Sequence, residues 1–98
     1  MRIASLTSIG TYEIDVSPYR KIYIELTDRN SSNENRILQT RYIPTSLIKA
    51  RESSANVLSF YNGSTSLQAV FSISATQINL QTIGGTATFD SIRVYGIK

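Results

Sequence analysis

The 98-residue chain has no cysteine, no histidine and no tryptophan. Without cysteine there is no disulfide, no thiolate metal site and no thiol nucleophile, and without histidine the commonest general base and metal ligand is missing. Proline appears twice and glycine five times, far below collagen-like or Pro/Gly-rich disordered chains. Charged residues are also sparse, at 17%, and serine, threonine, asparagine and glutamine stand where a more ionic surface would carry lysine and glutamate. No run of about 18 apolar residues occurs, so no membrane-inserting helix is expected. The start, Met1-Arg2-Ile3-Ala4-Ser5-Leu6-Thr7, has a charge but no apolar stretch of signal-peptide length, and reads as mature, ordered protein.

What remains is 41% hydrophobic, enough for a core. A mass of 10.9 kDa has room for a single domain over residues 1–98, and a chain this short buries a limited fraction of its surface, so self-association is expected. The net charge of +3 permits an acidic partner without demanding one.

Apolar and polar residues alternate with a period of two, the strand signature, and no segment keeps the three-and-four spacing of a helix. Tyr12, Ile14 and Val16 share one face, with Pro18 closing the strand; Ile22, Ile24 and Leu26 repeat the pattern opposite Tyr23, Glu25 and Thr27, predicting a half-buried strand. Residues 28–35, Asp-Arg-Asn-Ser-Ser-Asn-Glu-Asn, read as a solvated loop. From Arg36 to Ile43 both faces carry apolar residues. Pro44 interrupts pairing, and Thr45 to Lys49 reads as an edge strand or short crossing segment in preference to a helix. After a small, polar loop over residues 49–56, strand propensity resumes at Val57 and meets Asn62-Gly63, the pair that suits a two-residue type I′ hairpin. A long return strand follows. Gly84-Gly85 predicts a further turn, and residues 86–98 form a last strand in which Gly96 marks a bulge. The sum is an all-β, antiparallel, jelly-roll-like β-sandwich of seven to eight strands; a small Greek-key barrel is the other architecture considered.

Few residues suggest chemistry. Glu13 and Asp15 lie two apart on one strand face, but nothing predicts the buried cleft a glycosidase pair needs, and they read as solvated charges. The serines have no histidine partner and no G-x-S-x-G context, so no enzyme is expected. Residues 28–39 imitate a Ca²⁺ loop in their first positions only: Asn33 replaces the turn glycine, Gln39 replaces the bidentate glutamate, and Arg29 and Arg36 would repel the ion. No metal or cofactor is called for. Arg36, Arg41, Lys49 and Arg51, with Tyr42 among them, are the material of a single-strand nucleic-acid groove, in which cations follow phosphates and aromatics stack bases; the low cation count and the lack of RRM or KH motifs disfavour that partner. Six tyrosines, apolar in body and polar at the tip, suit half-wet contacts with glycans or subunits.

The ending Phe89-Asp90-Ser91-Ile92-Arg93-Val94-Tyr95-Gly96-Ile97-Lys98 resembles the C-termini of bacteriophage tail-fibre tips, receptor-binding heads and related virion proteins; Tyr19 to Leu26 and the Asn62-Gly63 hairpin resemble parts of the same tips. The resemblance implies a compact β-sandwich, a homotrimer, and non-catalytic attachment of the virion to a host surface glycan or protein. Capsid decoration is the alternative within the same class, and single-stranded nucleic-acid binding a distant one. The resemblance carries over no binding residues. From the residues themselves, Tyr61 and Asn62 at the hairpin tip, Asp28 and Asn30 in the polar loop, and Tyr42 and Arg41 in the basic stretch are the expected contacts.

Overall fold

A computed structural model describes residues 1–29, 35–50 and 54–98 of the chain. Its elements are β1 (Arg2–Leu6), β2 (Gly10–Glu13), β3 (Lys21–Arg29), β4 (Asn35–Pro44), α1 (Thr45–Ala50), β5 (Ser54–Tyr61), β6 (Ser66–Ile73), β7 (Gln77–Gly85) and β8 (Phe89–Ile97). They form two antiparallel four-stranded sheets, β1-β8-β3-β4 and β2-β7-β6-β5. The alternation in the sequence explains the layering, because each sheet has one apolar face that must be covered. Ile22, Ile24, Leu26, Ile92, Val94 and Leu6 line the inner face of the first sheet; Leu58, Leu67, Ala69, Phe71, Ile78 and Leu80 line that of the second. Phe71 is the largest fully buried side chain.

The fold is a β-sandwich, and its likeness to a jelly roll lies in its outer strands, where β1 pairs with β8 and β2 with β7. The inner strands pair locally instead, as the hairpins β3·β4, β5·β6 and β6·β7. Two of these turns were misplaced from sequence. The Asn62 loop has four residues, since Tyr61 pairs with Ser66, where a two-residue turn would pair it with Ser64. The Asn62 side chain sets that length: its Oδ1 accepts from the amides of Ser64 (3.2 Å) and Thr65 (2.8 Å). The long return strand is really two, folded back at residues 74–76, where Ser74 N–H donates to the Gln77 carbonyl (2.9 Å) and Ser74 Oγ accepts from the Gln77 amide (3.2 Å).

Neither predicted glycine feature stands. Gly84-Gly85 is no turn: both residues pair with β6, as Gln68↔Gly84 and Leu67↔Gly85. Gly85 is required there by a φ of +129° and by the approach of β6, since a Cβ would lie 2.8 Å from Leu67 Cα. Gly96 sits in regular register opposite Ile22, with no bulge; the Tyr19 ring occupies the space a side chain there would need. The irregularities fall elsewhere, in the shifts between Arg2 and Ala4, Leu26 and Thr27, Thr27 and Asp28, and Val70 and Phe71.

Two further corrections concern the ends of β3 and β4. β3 is not half-buried along its length: Glu25, Thr27 and Asp28 are buried too. Their strand continues into the expected loop, so Asp28 and Arg29 are paired with Arg36 and Asn35 of β4. Thr27 Oγ1 is satisfied by Ser91, donating to its carbonyl at 2.9 Å, and Asp90 binds Arg29 at 3.1 Å and accepts from Ser91 Oγ at 3.0 Å. After Pro44 the crossing segment is the short helix α1, which turns Ile48 into the core. β5 then starts at Ser54, earlier than its propensity suggested, because pairing with β6 recruits the polar residues.

Two stability predictions follow from this packing. Gly85→Ala is expected to cost about 2–4 kcal/mol, whereas Gly84→Ala, with open space around its Cβ, should lie within about 1 kcal/mol of wild type; urea unfolding of the pair measures the contrast. Among the described residues Thr45 Oγ1 is buried with no hydrogen-bond partner, so Thr45→Val should raise stability by roughly 1 kcal/mol, seen as a higher denaturant midpoint at unchanged slope.

Candidate functional site

The hairpin β5·β6 carries the clearest site. Tyr61, 74% exposed, stands at its end, beside a groove of about 370 Å³ formed with Ser59, Ser66, Gln68 and Gly84. The register makes the groove: Ser59 pairs with Gln68 and Gln68 with Gly84, so a glycine occupies the third position of that row and leaves a trough beyond the glutamine. Tyr61 Oη donates to the Gly63 carbonyl at 3.3 Å, which tethers the ring to its own loop. The trough thus has an aromatic side, an amide that both donates and accepts, two hydroxyls and accessible backbone.

The six residues singled out from sequence do not converge. Tyr61 borders the groove. Asn62 is beside it, but its Oδ1 is engaged by the Ser64 and Thr65 amides, so its structural role in the loop takes its acceptor. Asp28 is 1% exposed, inside β3, and is removed from the surface loop expected to present it. Asn30 lies outside the described residues. Tyr42, 57% exposed, is on the outer face of the first sheet, remote in topology from the groove. Arg41 is its neighbour on β4 and points the other way, donating from Nη2 to the Val57 carbonyl at 2.7 Å. That bond ties the edge of one sheet to the edge of the other. The side chains of Arg36 and Lys49, and Arg51 entirely, lie outside the description, so the basic stretch yields no assembled groove.

Sequence reasoning missed Gln68, Ser59 and Gly84, since only strand register aligns them. It also missed a row of tyrosines on the outer face of the first sheet. Tyr23 pairs with Tyr42 on one side and Tyr95 on the other, with ring centroids 4.7 and 5.8 Å apart, and Lys21 Nζ lies 4.9 Å from the centre of the Tyr42 ring. The rings are tilted by 40° and 44°, edge to face in tendency, which binds the strands together but presents no flat platform. Partial desolvation, then the charge of Glu25, pushes the Tyr23 hydroxyl above the usual tyrosine range. Hydrogen bonding from Ser8 pulls Tyr12 below it: the Ser8 hydroxyl lies 3.4 Å from Tyr12 Oη and the Ser8 amide donates to that oxygen at 3.2 Å, contacts that favour the phenolate.

The carboxylates weighed as an acid–base pair are engaged separately. Glu13 Oε1 accepts from Gln77 Nε2 at 2.9 Å, and Asp15 Oδ1 accepts from the amide and hydroxyl of Ser17. Among the described residues no group of three or more acidic, histidine or cysteine side chains is placed to hold a metal. Nor, among the described residues, is any helix long and apolar enough to cross a membrane.

No protein-family model, curated protein or solved structure matches the chain. The C-terminal stretch that carried the phage resemblance is β8, an interior strand. Ile92 and Val94 fill the core, Asp90 and Ser91 close the polar network with Thr27 and Arg29, Tyr95 joins the tyrosine row, and Gly96 admits Tyr19. Each of these residues has a role in packing.

The tyrosine shifts are testable by alkaline titration at 295 nm. A raised Tyr23 means the fold favours its protonated form, a contribution present below the unfolded tyrosine pKa and lost as pH climbs through the folded value. Tyr12 has the opposite sign, contributing only once pH passes its lowered folded value. Tyr23→Phe should remove a late-titrating phenol, and Tyr12→Phe an early one.

Proposed function

We propose that the chain is a non-enzymatic virion protein of the tail-fibre-tip or receptor-binding kind, attaching to a host surface glycan through the Tyr61 groove. The observation that carries this reading is the exposed Tyr61 ring beside a polar trough lined by Ser59, Ser66 and Gln68. A pyranose offers C–H groups on one face and hydroxyls around its rim, and the groove matches both, with an aromatic surface for the first and an amide and hydroxyls for the second. A weakly charged surface also suits a neutral ligand better than a polyanion. The virion setting is supported by the C-terminal resemblance alone. Capsid decoration is the alternative within that setting, and nucleic-acid binding loses support because Arg41 is committed to Val57.

Binding to bacterial surface polysaccharides immobilised on a chip tests the reading. Tyr61→Ala and Gln68→Ala should each weaken binding about tenfold or more, a loss of roughly 1.4 kcal/mol, while Tyr42→Ala leaves it unchanged. Equal binding by wild type and Tyr61→Ala rejects the groove. Binding to undecorated capsids with no polysaccharide affinity supports the decoration role, and capture of labelled oligonucleotide that fades steeply with salt supports the nucleic-acid role.

A further inference from the structure

Four strands lie at sheet edges, and three of them are blunted. β1 has five residues and a register break between Arg2 and Ala4. β2 has four residues and carries Glu13. β4 has a break opposite Leu26 and Thr27, a proline at its end, and arginines at 36 and 41. Short length, bulges, charge and proline are the devices that keep edges from pairing. β5 has none of them. Its eight residues, Ser-Ala-Asn-Val-Leu-Ser-Phe-Tyr, contain no charge and no proline, and they pair with β6 in unbroken register from Ser54 to Tyr61.

The direction of its free backbone groups follows from the turn. Asn62 N–H donates to the Thr65 carbonyl at 3.1 Å, which puts Asn62 and Thr65 at a hydrogen-bonded position of the ladder's alternation. Alternation then makes Tyr61↔Ser66, Ser59↔Gln68 and Val57↔Val70 non-hydrogen-bonded pairs. The N–H and C=O groups of Tyr61, Ser59 and Val57 therefore point away from β6. Among the described residues, only Arg41 reaches one of these backbone groups, the Val57 carbonyl, and a carbonyl has a second lone pair to offer.

We propose that β5 pairs, antiparallel, with β5 of a second copy of this chain about a two-fold axis at Ser59, joining two sheets into one of eight strands. The outward set has the symmetry that such pairing requires. Centred on Ser59, it places Ser59 against itself and Tyr61 against Val57 of the partner at both ends. Tyr61 and Val57 are 74% and 40% exposed in the single chain, and an aromatic residue opposite a β-branched one is a favourable cross-strand pair. No charge on either strand opposes the approach. A peptide of unrelated sequence would satisfy the same hydrogen bonds, but the apolar–polar–apolar order matches its own antiparallel copy without further assumption. This geometry yields a two-fold dimer, in place of the trimer the resemblance implies; its seam takes in Ser59 and Tyr61 of the proposed groove, so its test reads mass and amide exchange and not glycan binding.

Light scattering and amide hydrogen exchange on the full chain decide it. Wild type at about 100 μM should show twice the 10.9 kDa chain mass, and dilution should return it to one. In the dimer the amides of Val57, Ser59 and Tyr61 should exchange at least tenfold more slowly than after dilution, while those of Leu58 and Phe60, bonded to β6, are protected in both. Ser59→Lys sets two ammonium groups against each other across the axis and should give a monomer with an unchanged circular dichroism spectrum. Ser59→Pro, which removes an N–H that no strand of the same chain uses, should do the same. A monomer at every concentration, a trimer, or a dimer indifferent to Ser59→Lys overturns the proposal. So does uniform protection along β5.

Discussion

Everything in this molecule depends on covering the apolar face of β3. It lies between β8 and β4, with Ile22, Ile24 and Leu26 turned inward, and the second sheet answers with Phe71, Leu80 and Leu58. Deleting a buried Phe-sized side chain costs about 3–5 kcal/mol, a large part of what a domain of this size has to spare. With no cysteine to supply a disulfide, the fit between these two faces determines whether the chain folds at all. The local hairpins are consequences, since a strand whose neighbour in sequence is also its neighbour in space closes only a short loop.

The far end of β3 shows how the same constraint treats polar residues. Glu25, Thr27 and Asp28 are buried there, and burial of unpaired polar groups is costly. The register shift that sets Asp90 apart in β8 brings a carboxylate to Thr27, Ser91 and Arg29 at once. The bulge and the polar cluster therefore belong together. Thr45, at the start of the crossing helix, finds no such answer among the described residues.

The outside of the sandwich divides by the same logic. One outer face is consolidated by tyrosines leaning on one another, while the other is interrupted by Gly84 and so acquires a trough next to Tyr61. The edge beside that trough is long, neutral and regular, while the remaining edges are short, broken or charged. Among the described residues, the trough and the regular edge therefore meet at the β5·β6 hairpin.

Period-two alternation was legible in the sequence, and with it the all-β class and the inward residues of β3, β6 and β8. Alternation reports which way a side chain faces relative to its neighbours along one strand. It carries no information on which strand lies alongside, or in what register. The tyrosine row, the Ser59–Gln68–Gly84 trough, the burial of Asp28 and the Arg41 bridge to Val57 all join residues distant in sequence, so each waited on the pairing. The glycines mislead for a related reason: a turn and a close approach of two strands both call for a missing side chain, and only the neighbouring strand tells them apart. Composition and periodicity by themselves determined an all-β protein with a weakly charged, tyrosine-rich surface; tertiary structure alone decided its two layers, its groove and its regular edge, because these are made by pairing and register between strands.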